Sequence, residues 1–120
     1  LWGTGSPYRE FLYSDDLADA TIYLINLPDE VYNPLVSNEP VAPQVNIGYG
    51  EELTIKELAQ IVKETVGFTG EIVWDTAKPD GTPRKLMDSG LLRSLGWKPS
   101  VPLREGVAKA LGQFLAHNKK

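Results

Sequence analysis

Apolar positions along this chain repeat at helical spacing in four stretches and alternate or cluster in strand-like fashion in three. Leu17, Thr21, Leu24 and Ile25 share one face, which predicts a helix N-capped by Asp15 or Asp16 and stopped near Pro28. The next helix has the clearest local signal: Thr54 and Glu57 stand at capping-box spacing, and Leu53 and Leu58 are placed to form a hydrophobic staple. Ile55, Leu58, Ala59, Val62 and Val66 line its inward face, and Gly67 is positioned to end it with a left-handed cap. A short helix over Leu91, Leu92 and Leu95 stops at Gly96. A last one starts at about Pro102, turns Leu103, Val107, Leu111 and Phe114 inward, and frays toward the terminal lysines. Strands are predicted at Arg9–Tyr13, Val45–Ile47 and Glu71–Asp75. The stretch Pro28–Pro43 carries four prolines and no period, and reads as a surface excursion. Together these elements predict an α/β fold with few strands and three to four helices.

Composition narrows the function. At 120 residues the chain is expected to form a single domain, 1–120, that buries roughly two-thirds of its unfolded surface. Twelve Lys and Arg against sixteen Asp and Glu leave a net charge of −4, which argues against a nucleic-acid groove or an anionic membrane surface as partner. Cysteine is absent, so disulfides, thiolate metal sites and a cysteine nucleophile are excluded. No apolar run approaches membrane-spanning length and no signal peptide is recognisable, so the expected location is the cytoplasm.

Within this acidic background, Lys78, Arg84 and Lys85 fall in one eight-residue loop, Lys78-Pro79-Asp80-Gly81-Thr82-Pro83-Arg84-Lys85. Two prolines and a glycine stiffen and aim it, which makes it a candidate anion clamp with phosphate as guest; the competing reading is a solvated charged loop. A second candidate is Trp2-Gly3-Thr4-Gly5-Ser6-Pro7-Tyr8-Arg9-Glu10. Trp2 offers a stacking face and Arg9 a fork for phosphate or sugar hydroxyls, against the alternative that Trp2 is ordinary surface and Arg9 pairs with Glu10 or Asp15.

Catalytic sets are not evident. His117, the only histidine, is the fourth residue from the C-terminal end and reads as a surface residue, and no tyrosine has a lysine four positions later. Asp15-Asp16 reads as capping and Glu51-Glu52 as a solvated approach to a helix. Gly48-Tyr49-Gly50 follows an expected strand and precedes a helix, but Leu53 replaces the third glycine of a dinucleotide fingerprint and two glutamates sit where a pyrophosphate would approach. A simple turn is the better reading.

These same residues carry a resemblance. The segment Trp2 to Ala18, then Asn46-Ile47-Gly48-Tyr49-Gly50, Thr54-Ile55-Lys56-Glu57-Leu58-Ala59-Gln60, Lys78 to Asp88 and Leu95-Gly96-Trp97, resembles the C-terminal, substrate-binding part of the GDP-L-fucose synthases, within the extended short-chain dehydrogenase/reductases. Pro79 to Lys85 is the most specific string. The resemblance implies a small substrate-binding lobe without the Rossmann core. It implies a parent enzyme that epimerises GDP-4-keto-6-deoxy-D-mannose at C3 and C5 and reduces it at C4 with NADPH. It further implies GDP-sugar contacts at Trp2, Arg9, Arg84, Lys85, Asp80 and Gly81, without choosing between Arg84 and Lys85 for the diphosphate. No contact is carried over to Glu71, where a relative has arginine.

The family's NADP loop, its Ser-Tyr-Lys set and its epimerisation Cys and His have no counterpart here. The chain is therefore expected to bind no cofactor or metal itself, to be inactive alone, and to work with an N-terminal Rossmann domain in a homodimeric parent. The alternatives are the substrate lobe of another nucleotide-sugar epimerase, dehydratase or reductase, a non-catalytic nucleotide-sugar module, and an interaction domain for an acidic protein surface.

Overall fold

A computed structural model of the chain describes residues 1–37 and 43–118. In chain order they form β1 (Tyr8–Arg9), α1 (Ser14–Ile25), α2 (Asp29–Ser37), β2 (Leu53–Thr54), α3 (Ile55–Val66), β3 (Arg84–Lys85), α4 (Gly90–Ser94) and α5 (Leu103–His117). The strands make one sheet in the order β2-β1-β3. β1 runs antiparallel to β2, with Tyr8 opposite Thr54 and Arg9 opposite Leu53. It runs parallel to β3, with Tyr8 beside Arg84 and Arg9 beside Lys85.

α3 begins and ends as its sequence dictates. The Thr54 hydroxyl accepts from the Glu57 N–H at 3.1 Å, and the Glu57 carboxylate accepts from the Thr54 N–H at 2.7 Å. Gly67 closes the helix at φ 69°, a left-handed position that a side chain would disfavour. α1 starts differently. Its N-cap is Tyr13, without a side-chain cap, so neither Asp15 nor Asp16 plays that part. Asp16 instead lies in the first turn, 4% exposed, and accepts from the Ser100 N–H and hydroxyl and from the Val101 N–H at 2.7–3.1 Å. It pins the segment entering α5 against α1.

That bond set also selects which face of α1 is buried. Asp16 and Ala20 are buried, Tyr23 and Leu24 pack beside them, and Leu17 and Ile25 of the expected inward face are left exposed. Ala20, Leu92 and Trp97 form the core, flanked by Leu12, Tyr23, Leu24, Val45 and Ile47. The polar edges of its aromatics are satisfied: Trp97 Nε1–H donates to Asp19 at 2.8 Å and the Tyr23 hydroxyl to the Leu95 carbonyl at 2.6 Å. Phe114, expected inward on α5, is exposed.

The strands are shorter than the sequence predicts, because side chains take over where ladders were expected. Arg9–Tyr13 contracts to Tyr8–Arg9, since the Glu10 carboxylate accepts the Gly50 and Met87 N–H groups, each at 3.0 Å, and turns the chain out of the sheet. Val45–Ile47 forms no strand pairing among the described residues; Asn46 Nδ2 donates to the Asp88 carbonyl. Glu71–Asp75 keeps one parallel bridge, Trp2 to Asp75. Pro28–Pro43 is not all irregular. Pro28 precedes α2, its carbonyl accepting from Val31 and Tyr32, and α2 includes Pro34, whose nitrogen has no hydrogen for Glu30. Positions 38–42 of that stretch lie outside the described residues. Among the described residues there are five helices rather than three to four.

Burial works to raise the pKa of Asp16, but the hydrogen bonds from Ser100 and Val101 and the charge of Lys109 outweigh it and hold the carboxyl below its ordinary 3.8. A group depressed in this way contributes stability that is present above the unfolded value and is lost as pH falls through the folded one. Asp16→Ala should therefore cost about 3 kcal/mol at neutral pH. The loss should shrink below about pH 4, where the native chain sheds the same contribution. Urea unfolding at pH 7 and pH 3 checks both parts. Thr54→Ala should cost about 1 kcal/mol at neutral pH.

Candidate functional site

The three strands collect residues from three distant parts of the chain, and their register sorts the cations. Successive strand residues point to opposite faces, whereas partners in register share one. Tyr8, Thr54 and Arg84 thus lie on one face, and Arg9, Leu53 and Lys85 on the other. Arg84 and Lys85, adjacent in sequence, are separated by the sheet.

Arg84 is already engaged. Its Nε lies 2.7 Å from Glu52 Oε1 and donates to Oε2 at 2.9 Å. The Glu52 side chain is 15% exposed, so the guanidinium neutralises a largely buried carboxylate, and that hydrogen bond and charge raise the Arg84 pKa further above its usual value. Glu52 is therefore not the solvated helix approach that its neighbourhood suggested. Lys85, exposed on the opposite face, forms no ion pair among the described residues.

Arg9 is positioned by the clamp loop itself. Its Nη1 donates to the Thr82 carbonyl at 2.7 Å and to the carbonyl of Tyr8, while the Tyr8 N–H donates to the Pro83 carbonyl at 2.8 Å. Gly81 faces this fork closely: a Cβ there would come within 3.2 Å of Arg9 Nη2, so the guanidinium would have to shift by a few tenths of an ångström. The guanidinium fork is held beside the loop, its remaining N–H groups without a partner among the described residues, on the face that also carries Lys85.

Asp80 braces the other candidate loop. Its carboxylate accepts from the Thr4 N–H at 2.8 Å and the Thr4 hydroxyl at 2.6 Å, and these two bonds hold its pKa below the ordinary carboxylate value. Gly3, at φ 76°, admits the carboxylate where a side chain would collide with it. Gly5, at φ 74°, lies against the Trp74 ring, 2.5 Å from where a Cβ would sit. Trp2 is 77% exposed, and Lys78 Nζ stands 5.7 Å from its ring centroid, a cation–π distance. Trp2 thus joins the cationic loop through Lys78, while Arg9, Gly81 and Lys85 group at the sheet.

Gly48 and Gly50 are filled from within. Glu10 occupies the space over Gly48, and the Arg93 guanidinium lies where a side chain on Gly50 would stand while donating to the Tyr49 carbonyl at 2.9 Å. A pyrophosphate has no room there, so this turn does not fit a dinucleotide. His117 Nδ1 sits 2.8 Å from the Gln113 carbonyl, within α5. Glu10, Glu52 and Thr4 organise the site without having stood out in the sequence; their partners lie 32 to 77 residues away, and no local pattern marks such pairs.

Residues 1–48 match the model of the NAD dependent epimerase/dehydratase family. A probable GDP-L-fucose synthase 1 from Oryza sativa subsp. japonica is 57% identical over 109 residues, 91% of this chain and 30% of that protein. The structure of a GDP-6-OMe-4-keto-L-xylo-heptose reductase from C. jejuni superposes with a TM-score of 0.86 at 39% identity, covering 98% of this chain and 34% of the other. A GDP-L-fucose synthetase from Naegleria fowleri, solved with NADP bound, gives 0.80 at 25% identity over 100% of this chain and 35% of the other. The chain is homologous to GDP-L-fucose synthases over most of its length and spans about a third of theirs.

Arg84→Met should strand the Glu52 carboxylate and lower the melting temperature, and adding Glu52→Gln should recover much of the loss. Thermal melts of the two single variants and the double one test this coupling. Additive losses would show that the pair does no structural work.

Proposed function

We infer from this homology that the chain is the substrate-binding part of a GDP-L-fucose synthase, an enzyme that converts GDP-4-keto-6-deoxy-D-mannose to GDP-L-fucose by epimerisation at C3 and C5 and NADPH reduction at C4. The observation that carries the reading is the sheet register, which puts Arg9 and Lys85 side by side on one face and commits Arg84 to Glu52 on the other. Arg9 and Lys85 hold the diphosphate: the guanidinium as a planar fork, the ammonium as a point charge. Arg84 sets the position of β3 and touches no substrate. Gly81 leaves room for the Arg9 fork, and Asp80 fixes the turn that presents Trp2, whose ring packs against the nucleotide sugar.

NADPH supplies the hydride when bound, and its contacts belong to the part of such a protein that this chain does not span. Its own residues contribute binding and orientation. The two positive charges act on a diphosphate remote from the reacting carbons, so they bind ground state and transition state alike. The same geometry serves any GDP-sugar reductase or epimerase, and the likeness to the C. jejuni heptose reductase keeps a different GDP-sugar open as the second reading. The cytoplasm is the location that fits this chemistry, and no helix among the described residues is long and apolar enough to cross a membrane.

Calorimetry at low salt tests the assignment. GDP should bind the chain weakly, and Lys85→Gln or Arg9→Gln should weaken it at least about tenfold, or 1.4 kcal/mol, while Arg84→Gln leaves the affinity within about twofold. In the full-length enzyme Lys85→Gln should raise KM and leave kcat nearly unchanged. Equal affinity for sulfate and GDP would reduce the site to a charge patch. A loss at Arg84 matching that at Lys85, in variants that melt alike, would reverse the assignment of the two cations.

A further inference from the structure

One dipeptide of the cationic loop is chemically fragile. Asp80-Gly81 is the single Asp-Gly pair in the chain, and no Asn-Gly pair occurs. With no Cβ at position 81, nothing screens the amide nitrogen that follows the aspartate. Both residues are exposed to water, and the Gly81 N–H has no hydrogen-bond partner among the described residues. These are the conditions for aspartate isomerisation. The Gly81 nitrogen attacks the side-chain carboxyl carbon of Asp80 and forms an N–Cγ bond, while the amide proton and the carboxyl hydroxyl leave together as water. A second water then opens the five-membered imide. Opening at the Cγ carbonyl returns aspartate. Opening at the main-chain carbonyl leaves isoaspartate, whose main chain runs through Cγ and whose carboxylate sits on Cα. Water is released and taken up, so the product has the mass of the starting chain and no other reactant is needed.

The fold works against the first of these steps. To reach the Gly81 nitrogen the Asp80 carboxyl must swing onto its own main chain, and both of its oxygens are held elsewhere. Oδ1 accepts the Thr4 N–H at 2.8 Å and Oδ2 the Thr4 hydroxyl at 2.6 Å. Thr4 is fixed in turn: its Oγ1 accepts the Ser6 N–H at 3.1 Å and lies 2.7 Å from the Ser6 hydroxyl. Gly3 backs the carboxylate so closely that a Cβ there would collide with Oδ1. The same bonds from Thr4 keep the carboxyl ionised, below its ordinary pKa. An ionised carboxylate is a poor target for the nitrogen, because its oxygen cannot leave as water.

We propose that Asp80-Gly81 is a site of spontaneous isoaspartate formation that Thr4 holds closed, so that the modification proceeds only when the Thr4 clasp on Asp80 opens. The lesion would fall directly before the Thr82 carbonyl that holds Arg9 and the Pro83 carbonyl that takes the Tyr8 N–H. The added main-chain atom would disturb both bonds. The exposed isoaspartyl carboxylate would also be open to an isoaspartyl methyltransferase. The inference concerns bonds within the chain and stands whatever Arg9 and Lys85 bind.

The test follows isoaspartate at position 80 during prolonged incubation. Mass spectrometry with electron-transfer fragmentation separates the two isomers, and methyl transfer by an isoaspartyl methyltransferase gives an independent count. The folded full-length protein is compared with a free peptide spanning Lys78 to Lys85 and with the variants Thr4→Val and Thr4→Ser. The folded protein should isomerise about a hundredfold more slowly than the peptide, since two hydrogen bonds to a charged group must break, and Thr4→Val, which removes one, should run about tenfold faster than the native protein. Thr4→Ser keeps the hydroxyl and should stay near the native rate. A folded protein that isomerises as fast as the peptide would overturn the proposal even if Thr4→Val failed to fold. So would a Thr4→Val protein with native melting temperature and native rate, which would show that the loop is protected without Thr4.

Discussion

Everything at the cationic face depends on the register of a two-residue strand. β1 lies between β2 and β3, and a slip of one residue between β1 and β3 would exchange Arg84 for Lys85 on the face that holds Arg9. Four ladder positions are too few to fix register alone, so the flanks do it. The Ile55 N–H donates to the Pro7 carbonyl, the Lys56 N–H to the Gly5 carbonyl and the Tyr8 N–H to the Pro83 carbonyl, at 2.8–3.0 Å. Pro7 and Pro83 each bring a fixed φ to the entrance of a strand. The capping box at Thr54 ends β2 and starts α3 at the same residue, so the helix cannot shift without breaking its own cap.

Carboxylates do the joining between segments, and this gives the acidic composition a meaning that net charge alone conceals. Glu10 gathers the backbone at Gly50 and Met87, Asp16 at Ser100 and Val101, and Asp80 at Thr4. Each is an ionised acceptor on backbone N–H groups that would otherwise lack a regular ladder, and charge-assisted bonds of this kind are about twice as strong as neutral ones. Three acids thus substitute for the strands that the loops are too irregular to build. Glu52 differs in kind: it holds a cation, the Arg84 Nε.

How much of this was legible in the sequence follows from how local each feature is. The start and end of α3 were readable because Thr54, Glu57 and Gly67 act within one turn of the backbone they cap. α4 and its stop at Gly96 were readable for the same reason. The strands at Val45–Ile47 and Glu71–Asp75 were not, since alternation marks a segment able to pair and says nothing of whether a partner lies beside it. The buried face of α1 was misplaced because Asp16 was read through its neighbours rather than through Ser100, 84 residues away. α2 was missed because proline counts against a helix interior, whereas here it costs a single bond on an exposed helix. The residues of the candidate site stood out by charge and glycine content; their division between the two faces needed the register.

Size and burial supply the last step. A 120-residue domain closed on one core has a radius of gyration of about 13–14 Å. This chain has 18.0 Å, spread over 55 × 37 × 22 Å. Among the described residues only Ala20, Leu92 and Trp97 form the buried apolar core, while large apolar side chains stay exposed on α1, α3 and α5. Hydrophobic burial is the main term opposing chain entropy, and a core this small leaves the loops dependent on their carboxylate ties. The cationic face needs only those ties and the short sheet, so its geometry can be set before the apolar faces are covered. Covering them then adds stability without moving Arg9 or Lys85, because the apolar groove beside α3 is lined by neither of them and lies outside the three-stranded sheet. The cationic face and the apolar groove are thus different surfaces of one short stretch of chain.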